Sequence, residues 1–173
     1  MVPMDSEKLS ARTKQPGHDQ TFARAEQEFL AAAKTCLDPA RYKVVEKPQD
    51  LLKLFSAVLP SDRDLGVQPD ASIQSLETGR RFFVEVKKQG PQGNAEERAY
   101  KHHTVQFYET LRQRFGYSYH PFVTVFCDSL SCHPRYTRKF SYLLEANQYF
   151  LWQDYDRDLL CDFLHKRCQD WLG

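Results

Sequence analysis

The 173-residue sequence has no run of eighteen apolar residues, so we expect no membrane-spanning helix. Its first residues lack the apolar stretch of a signal peptide, which makes a cytoplasmic location the default expectation. The net charge is only +1 and by itself indicates nothing about nucleic acid. Hydrophobic residues (41%) and aromatic residues (13%) are numerous enough to form a core, which excludes an intrinsically disordered chain.

The five cysteines are odd in number and irregular in spacing, which argues against a disulfide framework. Two clusters of cysteine and histidine are candidate zinc sites. They are Cys127, Cys132 and His133, and Cys161, His165 and Cys168. Neither cluster has the paired C-x-x-C spacing of a closed structural site. Because cysteine is also common in protein cores, we favour a packing role for these residues over zinc binding.

The length favours one domain, and we assign residues 1–18 to a polar N-terminal arm and residues 19–173 to a single domain. Hydrophobic periodicity predicts helices and strands that alternate in an α/β order. The predicted helices are 21–37, 50–59, 94–115, about 135–145 and 156–172. The predicted strands are 42–47, 67–76, 80–88, 121–128 and 149–153, with a hairpin turn at Gly79 between the second and third.

The strand "RFFVEVKK" combines an apolar face with a charged pair. Residues two apart in a strand share a face, so Phe82, Val84 and Val86 can pack on a core. Glu85 and Lys87 then project together from the opposite face. A strand with exposed charges is the structural interpretation of this pattern, and a catalytic site is the functional one.

Asp70 stands fifteen residues before Glu85, and a hairpin between them would return it to that side chain. Two carboxylates and a lysine suit metal-assisted phosphodiester hydrolysis, because Mg²⁺ prefers carboxylate and water oxygens. Asp70 and Glu85 would hold the metal together with the Val86 carbonyl. Lys87 would orient or activate the attacking water and offset the charge on the phosphate.

The stretch "GNAEERAYK", residues 93–101, begins a predicted helix directly after this strand. Asn94 is a good N-cap residue, which is the structural interpretation. In the functional interpretation the helix start enters the DNA major groove, where the Asn94 amide can pair with the N6 and N7 edge of adenine. Ala95 can contact a base or a thymine methyl group, and Arg98 can reach a purine N7. Candidate phosphate contacts are Lys88, Lys101 and His102.

These two patterns resemble the motifs of a known nuclease group. Pro-Asp followed by Glu-x-Lys resembles the active-site motif of the PD-(D/E)xK nuclease superfamily. "GNAEERAYK" closely resembles the Gly-Asn-Ala-x-Glu-Arg-x-x-Lys segment of type II restriction endonucleases of the EcoRI/MunI group. The resemblance extends from about Tyr42 to the C-terminus. It implies an α/β restriction-endonuclease-like core, with a central mixed β-sheet flanked by helices.

The resemblance also implies residue roles. Asp70, Glu85 and Lys87 match catalytic positions, and Glu46 matches an accessory acid found in some relatives. The residues that match the recognition segment are Gly93, Asn94, Ala95, Glu97 and Arg98. In that group the residues that match Glu97 and Arg98 also connect the two recognition segments of a dimer.

The function implied by the resemblance is Mg²⁺-dependent cleavage of palindromic double-stranded DNA with an AATT core, leaving 5′ overhangs. A homodimer in a prokaryotic cytoplasm is implied, with a protective DNA methyltransferase in the same cell that is not a physical partner. Only five residues separate Lys87 from Gly93, where EcoRI has a long insertion. The outer bases therefore stay open: AATT alone, or AATT flanked by one specified C–G or G–C pair.

Two other functions are compatible with the same residues. A structure-specific PD-(D/E)xK nuclease of repair or recombination would cut branched or nicked DNA in any sequence. A non-catalytic DNA-binding module, stapled by zinc, would bind without cutting. The presence of all three residues, Asp70, Glu85 and Lys87, argues against the non-catalytic alternative, because a site that has lost its activity has no chemical reason to keep them.

Overall fold

The chain forms one mixed five-stranded β-sheet with helices packed against both of its faces. The computed structural model describes residues 16–54, 66–89, 93–116 and 121–173. The strands are β1 (Tyr42–Glu46), β2 (Ala71–Ser75), β3 (Arg81–Gln89), β4 (Phe122–Asp128) and β5 (Tyr149–Trp152). Their order in the sheet follows the sequence. The first three strands pair antiparallel and the last three pair parallel, which confirms the predicted mixed sheet.

Six α-helices are formed by the described residues. They are α1 (Pro16–Cys36), α2 (Ala95–Ala99), α3 (Val105–Phe115), α4 (Ser129–Cys132), α5 (Pro134–Leu143) and α6 (Arg157–Arg167). A 3₁₀ turn (Tyr100–His103) joins α2 to α3, a second (Gln153–Tyr155) follows β5, and α6 continues into a π-helical turn (Cys168–Leu172). No described helix combines the length and the hydropathy needed to cross a membrane.

The predicted hairpin is present, and Gly79 takes the left-handed conformation at its turn with a φ of 73°. The first helix begins at Pro16, five residues earlier than predicted. Residues 1–15 of the predicted arm lie outside the described residues. The predicted helix 50–59 is wrong over 51–54, which form turns, and 55–59 lie outside the described residues.

The single helix predicted over 94–115 is wrong, because the chain interrupts it at Thr104. Thr104 has extended backbone angles (φ −75°, ψ 153°), and its hydroxyl oxygen accepts a hydrogen bond from the Phe107 N–H at 3.1 Å. Threonine is a favoured N-cap residue because its side chain satisfies an orphan amide at a helix start. The segment therefore divides into a short helix α2 and a separate helix α3, which can point in different directions.

The alternation of β3 supports cores on both faces of the sheet. Phe82, Val84 and Val86 join the larger core, which is formed with α1 and α6. Phe83 faces the other side and is completely buried against Phe107 and other residues of a second core. Because β3 is the central strand and packs on a core at each face, the backbone that carries Glu85 and Lys87 is held in place from both sides.

A disulfide bond joins Cys36 at the end of α1 to Cys161 in α6, contrary to the expectation from the cysteine spacing. It uses the Cys161 sulfur, so the predicted cluster of Cys161, His165 and Cys168 loses one thiolate ligand. Cys127 and Cys168 are reduced and buried, while Cys132 is reduced and exposed. In the described part of the chain, no group of three or more His, Cys, Asp or Glu side chains could hold a metal ion.

The disulfide generates a stability prediction, because it closes a loop with a sequence separation of 125 residues. Replacing Cys161 with serine should lower the free energy of unfolding by about 2–4 kcal/mol, since the unfolded chain gains conformational entropy. Urea denaturation followed by circular dichroism measures this change. Cys132→Ser, at an exposed reduced cysteine, is the matched control and should leave the midpoint unchanged. Equal midpoints for Cys161→Ser and the parent chain would contradict the prediction.

Candidate active site and recognition segment

The β2–β3 hairpin brings Asp70 to the middle of β3, as the sequence predicts. Ala71 pairs with Val84, so the preceding residue Asp70 lies across from Glu85. The Asp70 Oδ2 atom accepts a hydrogen bond of 2.7 Å from the Val86 N–H. The carboxyl group therefore has a defined position beside the strand that carries the other two candidate catalytic residues.

Glu85 and Lys87 form a close ion pair on the same face of β3. The Lys87 Nζ atom lies 2.7 Å from Glu85 Oε1, within hydrogen-bond distance. Their side chains are only 21% (Lys87) and 12% (Glu85) exposed, so the pair lies in a partly dehydrated position. Charge-assisted hydrogen bonds of this kind hold both side chains in a fixed orientation.

The pKa of the Asp70 carboxyl is raised from 3.8 to about 8, and burial is the largest cause. The negative charges of Glu85 and, to a smaller extent, Glu26 contribute to this rise, whereas the hydrogen bond from Val86 and the charge of Lys87 oppose it. Without a metal ion, this shift favours the protonated form of Asp70. The carboxyl group lies where a cation would favour its ionised form.

The donor set fits a hard divalent cation. The carboxylates of Asp70 and Glu85 are close enough for the charge of Glu85 to raise the pKa of Asp70, and Lys87 forms an ion pair with Glu85. Oxygen donors with excess negative charge are what Mg²⁺ selects in proteins. The set contains two carboxylate side chains, so the Val86 carbonyl and water would complete the coordination.

Glu26 is a nearby acid that the sequence reasoning did not identify. It belongs to α1, and its charge reaches Asp70 because α1 packs against β3. In the sequence, Glu26 is an ordinary polar residue of a helix, next to the buried Ala25. No sequence pattern therefore indicates that it lies near Asp70. Glu46 is exposed and pairs with Ala71 in the sheet, and it is not among the groups that shift the Asp70 pKa. Its role as an accessory acid stays a prediction.

Gln89 connects β3, the strand that carries the candidate catalytic residues, to the predicted recognition segment. It lies two residues beyond Lys87 on the same face of β3, and its Oε1 atom accepts a hydrogen bond from the Ala95 N–H. Gly93 packs directly on this side chain, because a Cβ atom at Gly93 would lie 2.6 Å from both Gln89 Cγ and Cδ. A larger residue at this position would have to displace the Gln89 side chain. Sequence reasoning identified Gly93 but missed Gln89, although the alternation of β3 placed Gln89 with Glu85 and Lys87.

Three polar residues of the recognition segment are exposed together: Asn94, Glu97 and Arg98. Asn94 is the N-cap residue of α2, as predicted, but its side chain makes no hydrogen bond to the backbone of the helix. Its Oδ1 atom instead accepts a hydrogen bond of 3.4 Å from the Arg98 guanidinium. Both side chains therefore present polar groups to solvent at one end of α2.

The three candidate phosphate contacts lie in different environments. Lys101 is exposed next to the recognition segment. His102 is only 3% exposed and stacks on Phe122 with ring centroids 4.5 Å apart, so its predicted phosphate contact does not fit this packing. Lys88 points away from Lys87 and lies 3.0 Å from Asp128 Oδ2 in an ion pair.

Comparisons with known proteins identify related chains. A family model described as "Type II restriction enzyme MunI" matches residues 4–173. The type II restriction enzyme MunI of Mycoplasma sp. is 27% identical over 159 residues, which cover 75% of this chain and 79% of that protein. The crystal structure of the MunI restriction endonuclease in complex with cognate DNA superposes with a TM-score of 0.67 and 20% identity. That match covers 85% of this chain and 96% of the other, and it shows a common fold.

The raised pKa of Asp70 predicts how stability depends on pH. The folded chain binds the Asp70 proton more tightly than the unfolded chain, so this group lowers the free energy of unfolding as pH rises from about 4 to about 8. Asp70→Asn removes the ionisation. We compare the free energies of unfolding of Asp70→Asn and of the parent in the presence of a chelator. The difference, variant minus parent, should increase between about pH 4 and about pH 8 by at least about 1.4 kcal/mol, the equivalent of one pKa unit.

Urea denaturation at pH 4.5 and pH 8.5 measures this difference. Glu109→Gln, which removes an exposed carboxylate from α3, is the matched control and should show no comparable change. A stability difference between Asp70→Asn and the parent that is the same at both pH values would contradict the predicted ionisation behaviour.

Proposed function

The chain belongs to the MunI family of type II restriction enzymes, which are site-specific deoxyribonucleases. We propose that it cleaves palindromic DNA with an AATT core and leaves 5′ overhangs. The observation that carries this proposal is that two sets of residues are held by one strand, β3. Asp70, Glu85 and Lys87 form the first set at the middle of β3. The GNAEER segment (93–98) is attached to the same strand through Gln89.

The proposed cofactor is Mg²⁺, held by Asp70, Glu85 and the Val86 carbonyl. When bound there, it would polarise the scissile phosphate and lower the pKa of a water ligand. The hydrogen bond from Val86 N–H holds the Asp70 carboxyl group in place beside β3. The short ion pair to Lys87 keeps the Glu85 carboxylate from rotating away.

Lys87 is the proposed water-positioning residue. Its ammonium group has three donors and uses one of them on Glu85 Oε1, so others can reach a water molecule or a phosphate oxygen. A fixed positive charge at the reacting phosphate stabilises the negative charge that develops in the transition state. The proposed attack is in-line and forms no covalent enzyme intermediate.

We assign base recognition to the exposed end of α2. The Asn94 amide suits the N6 and N7 edge of adenine, and Arg98 carries donors for a purine N7. Ala95 offers a small apolar contact for a base or a thymine methyl group. Gly93 lets the chain approach Gln89 closely, which sets where the recognition segment begins.

A palindromic site is read most simply by two copies of one chain, so we propose a homodimer with twofold symmetry. Glu97 and Arg98 are the residues proposed to contact the partner's recognition segment. A nuclease of this kind implies a prokaryotic cell that protects its own DNA with a methyltransferase. The base pairs outside AATT are not specified by the residues assigned so far.

The first experiment is digestion of phage DNA with the purified protein and Mg²⁺, followed by sequencing of the fragment ends. We expect discrete ends that share an AATT-containing palindrome and carry 5′ overhangs. Lys87→Ala should reduce cleavage by at least about 100-fold, because the developing charge loses its partner. Lys166→Ala removes the same charge from an exposed position on α6 and is the matched control.

The outcomes separate the possible functions. Random fragment ends would support a structure-specific or nonspecific nuclease and contradict the recognition role of residues 93–98. Discrete ends around another sequence would retain site-specific cleavage and overturn the AATT assignment. Parent-like cleavage by Lys87→Ala would contradict the proposed role of this lysine.

Asn94→Ala tests the adenine contact. Cleavage rates on the cognate duplex and on duplexes with one substituted A–T pair should become similar, because the bidentate contact distinguishes bases by about 1–3 kcal/mol. This corresponds to a loss of roughly tenfold or more in discrimination. Gln27→Ala, at an exposed position on α1, serves as the control. Discrimination that is unchanged in Asn94→Ala would remove the recognition role from this residue.

A further inference from the structure

Glu96 occupies the position of the recognition segment to which the motif assigns no role. Its side chain is only 2% exposed, although its neighbours Asn94 and Glu97 are exposed. The Lys139 Nζ atom of α5 lies 3.2 Å from Glu96 Oε1. Glu96 Oε2 accepts a hydrogen bond of 3.0 Å from the Glu97 N–H. Both carboxylate oxygens of this buried side chain therefore have partners.

The short helix α2 depends on such contacts for its position. It has five residues and no side-chain N-cap bond, and helices of this length are not stable by themselves. One attachment is apolar, since Ala99 is completely buried in the cluster formed by Phe126, Phe140 and their neighbours. The Glu96–Lys139 ion pair is a second attachment, and it connects α2 to α5.

Helix α5 is a firm support for this ion pair. Phe140, the residue after Lys139, stacks on Phe126 of β4 with ring centroids 3.9 Å apart and an interplanar angle of 8°. The adjacent strand β3 carries Glu85 and Lys87. A continuous series of packed groups therefore leads from the catalytic strand through β4 and α5 to Lys139.

These two attachments, together with the hydrogen bond from Ala95 N–H to Gln89 at the helix start, hold the rotation of α2 about its own axis. Glu96 and Ala99 are three residues apart and lie on one face of the helix, which is the buried face. Asn94, Glu97 and Arg98 are consequently exposed. The apolar contact of Ala99 tolerates some rotation, whereas a charge pair is satisfied only within a narrow range of positions.

We propose that the Glu96–Lys139 ion pair determines the sequence specificity of the enzyme by holding α2 at the rotation that presents Asn94 and Arg98 to the bases. This inference rests on the proposed recognition role of residues 93–98. Both members of the pair are positioning residues and do not touch DNA. A buried carboxylate that loses its cation is strongly destabilised, so disruption of the pair displaces α2.

The test replaces Lys139 with methionine, which has a similar length and no charge. Hydrogen exchange of the DNA-free protein should show faster exchange of the amides of residues 95–99, by roughly tenfold or more, and unchanged exchange in β4. On DNA, kcat/KM for the cognate duplex divided by kcat/KM for a duplex with one substituted base pair should fall by roughly tenfold, a change of about 1.4 kcal/mol.

Two further variants separate positioning from general charge effects. Lys139→Arg keeps the cation and should retain the discrimination of the parent. Arg138→Met removes an exposed positive charge from the neighbouring position of α5 and should also retain it. Glu96→Gln, which keeps an oxygen for the Glu97 N–H, should weaken discrimination in the same direction as Lys139→Met and serves if that variant does not fold.

The outcomes distinguish this inference from the proposed function. Discrete cleavage by the parent, together with unchanged discrimination in Lys139→Met and Glu96→Gln, would overturn the role of the pair alone. An equal decrease of kcat/KM on both duplexes would also overturn it, because a purely structural defect reduces all cleavage alike. Random cleavage by the parent would overturn the proposed function and the specificity role together.

Discussion

The candidate active site depends on the hydrogen bond from the Val86 N–H to the Asp70 carboxyl group. It joins the residue before β2 to the middle of β3, where Glu85 and Lys87 already share a face. Burial and the neighbouring carboxylates make ionisation of Asp70 costly, and the Val86 N–H recovers part of that cost. The fold thus holds the Asp70 carboxyl group at a place where a bound cation would favour its ionised form.

The central strand β3 is packed on both faces, carries the candidate catalytic pair and is bonded to the candidate recognition segment (residues 93–98). One face of the strand packs on the core of α1 and α6, and Phe83 anchors the opposite face in the second core. Between these contacts the strand carries the Glu85–Lys87 pair, and at its end Gln89 accepts the Ala95 N–H. A displacement of the recognition segment would therefore be transmitted to the catalytic strand through a few packed and hydrogen-bonded groups.

Local sequence patterns predicted the structure correctly where it depends on strand alternation or on a single turn. The alternation in "RFFVEVKK" predicted which side chains of β3 face the core, and Gly79 predicted the hairpin. They failed where a distant contact competes with the local preference. The helix predicted through Thr104 is interrupted because that residue caps α3 while His102 is buried against Phe122. Asn94 occupies the predicted N-cap position of α2, but its side chain bonds with Arg98, and the first amide of the helix, Ala95 N–H, donates to the Gln89 side chain of β3.

The sequence by itself determined that Glu85 and Lys87, the candidate catalytic pair, share a face of β3, and it located the candidate recognition motif, because strand alternation and short motifs are local properties of the chain. Only the tertiary structure decided that Glu26 lies near Asp70, that Cys36 pairs with Cys161, and that Glu96 turns inward to meet Lys139. The partners in the last two pairs are 125 and 43 residues apart. Such contacts arise when packing of the whole chain brings separate elements together, so no local pattern of residues encodes them.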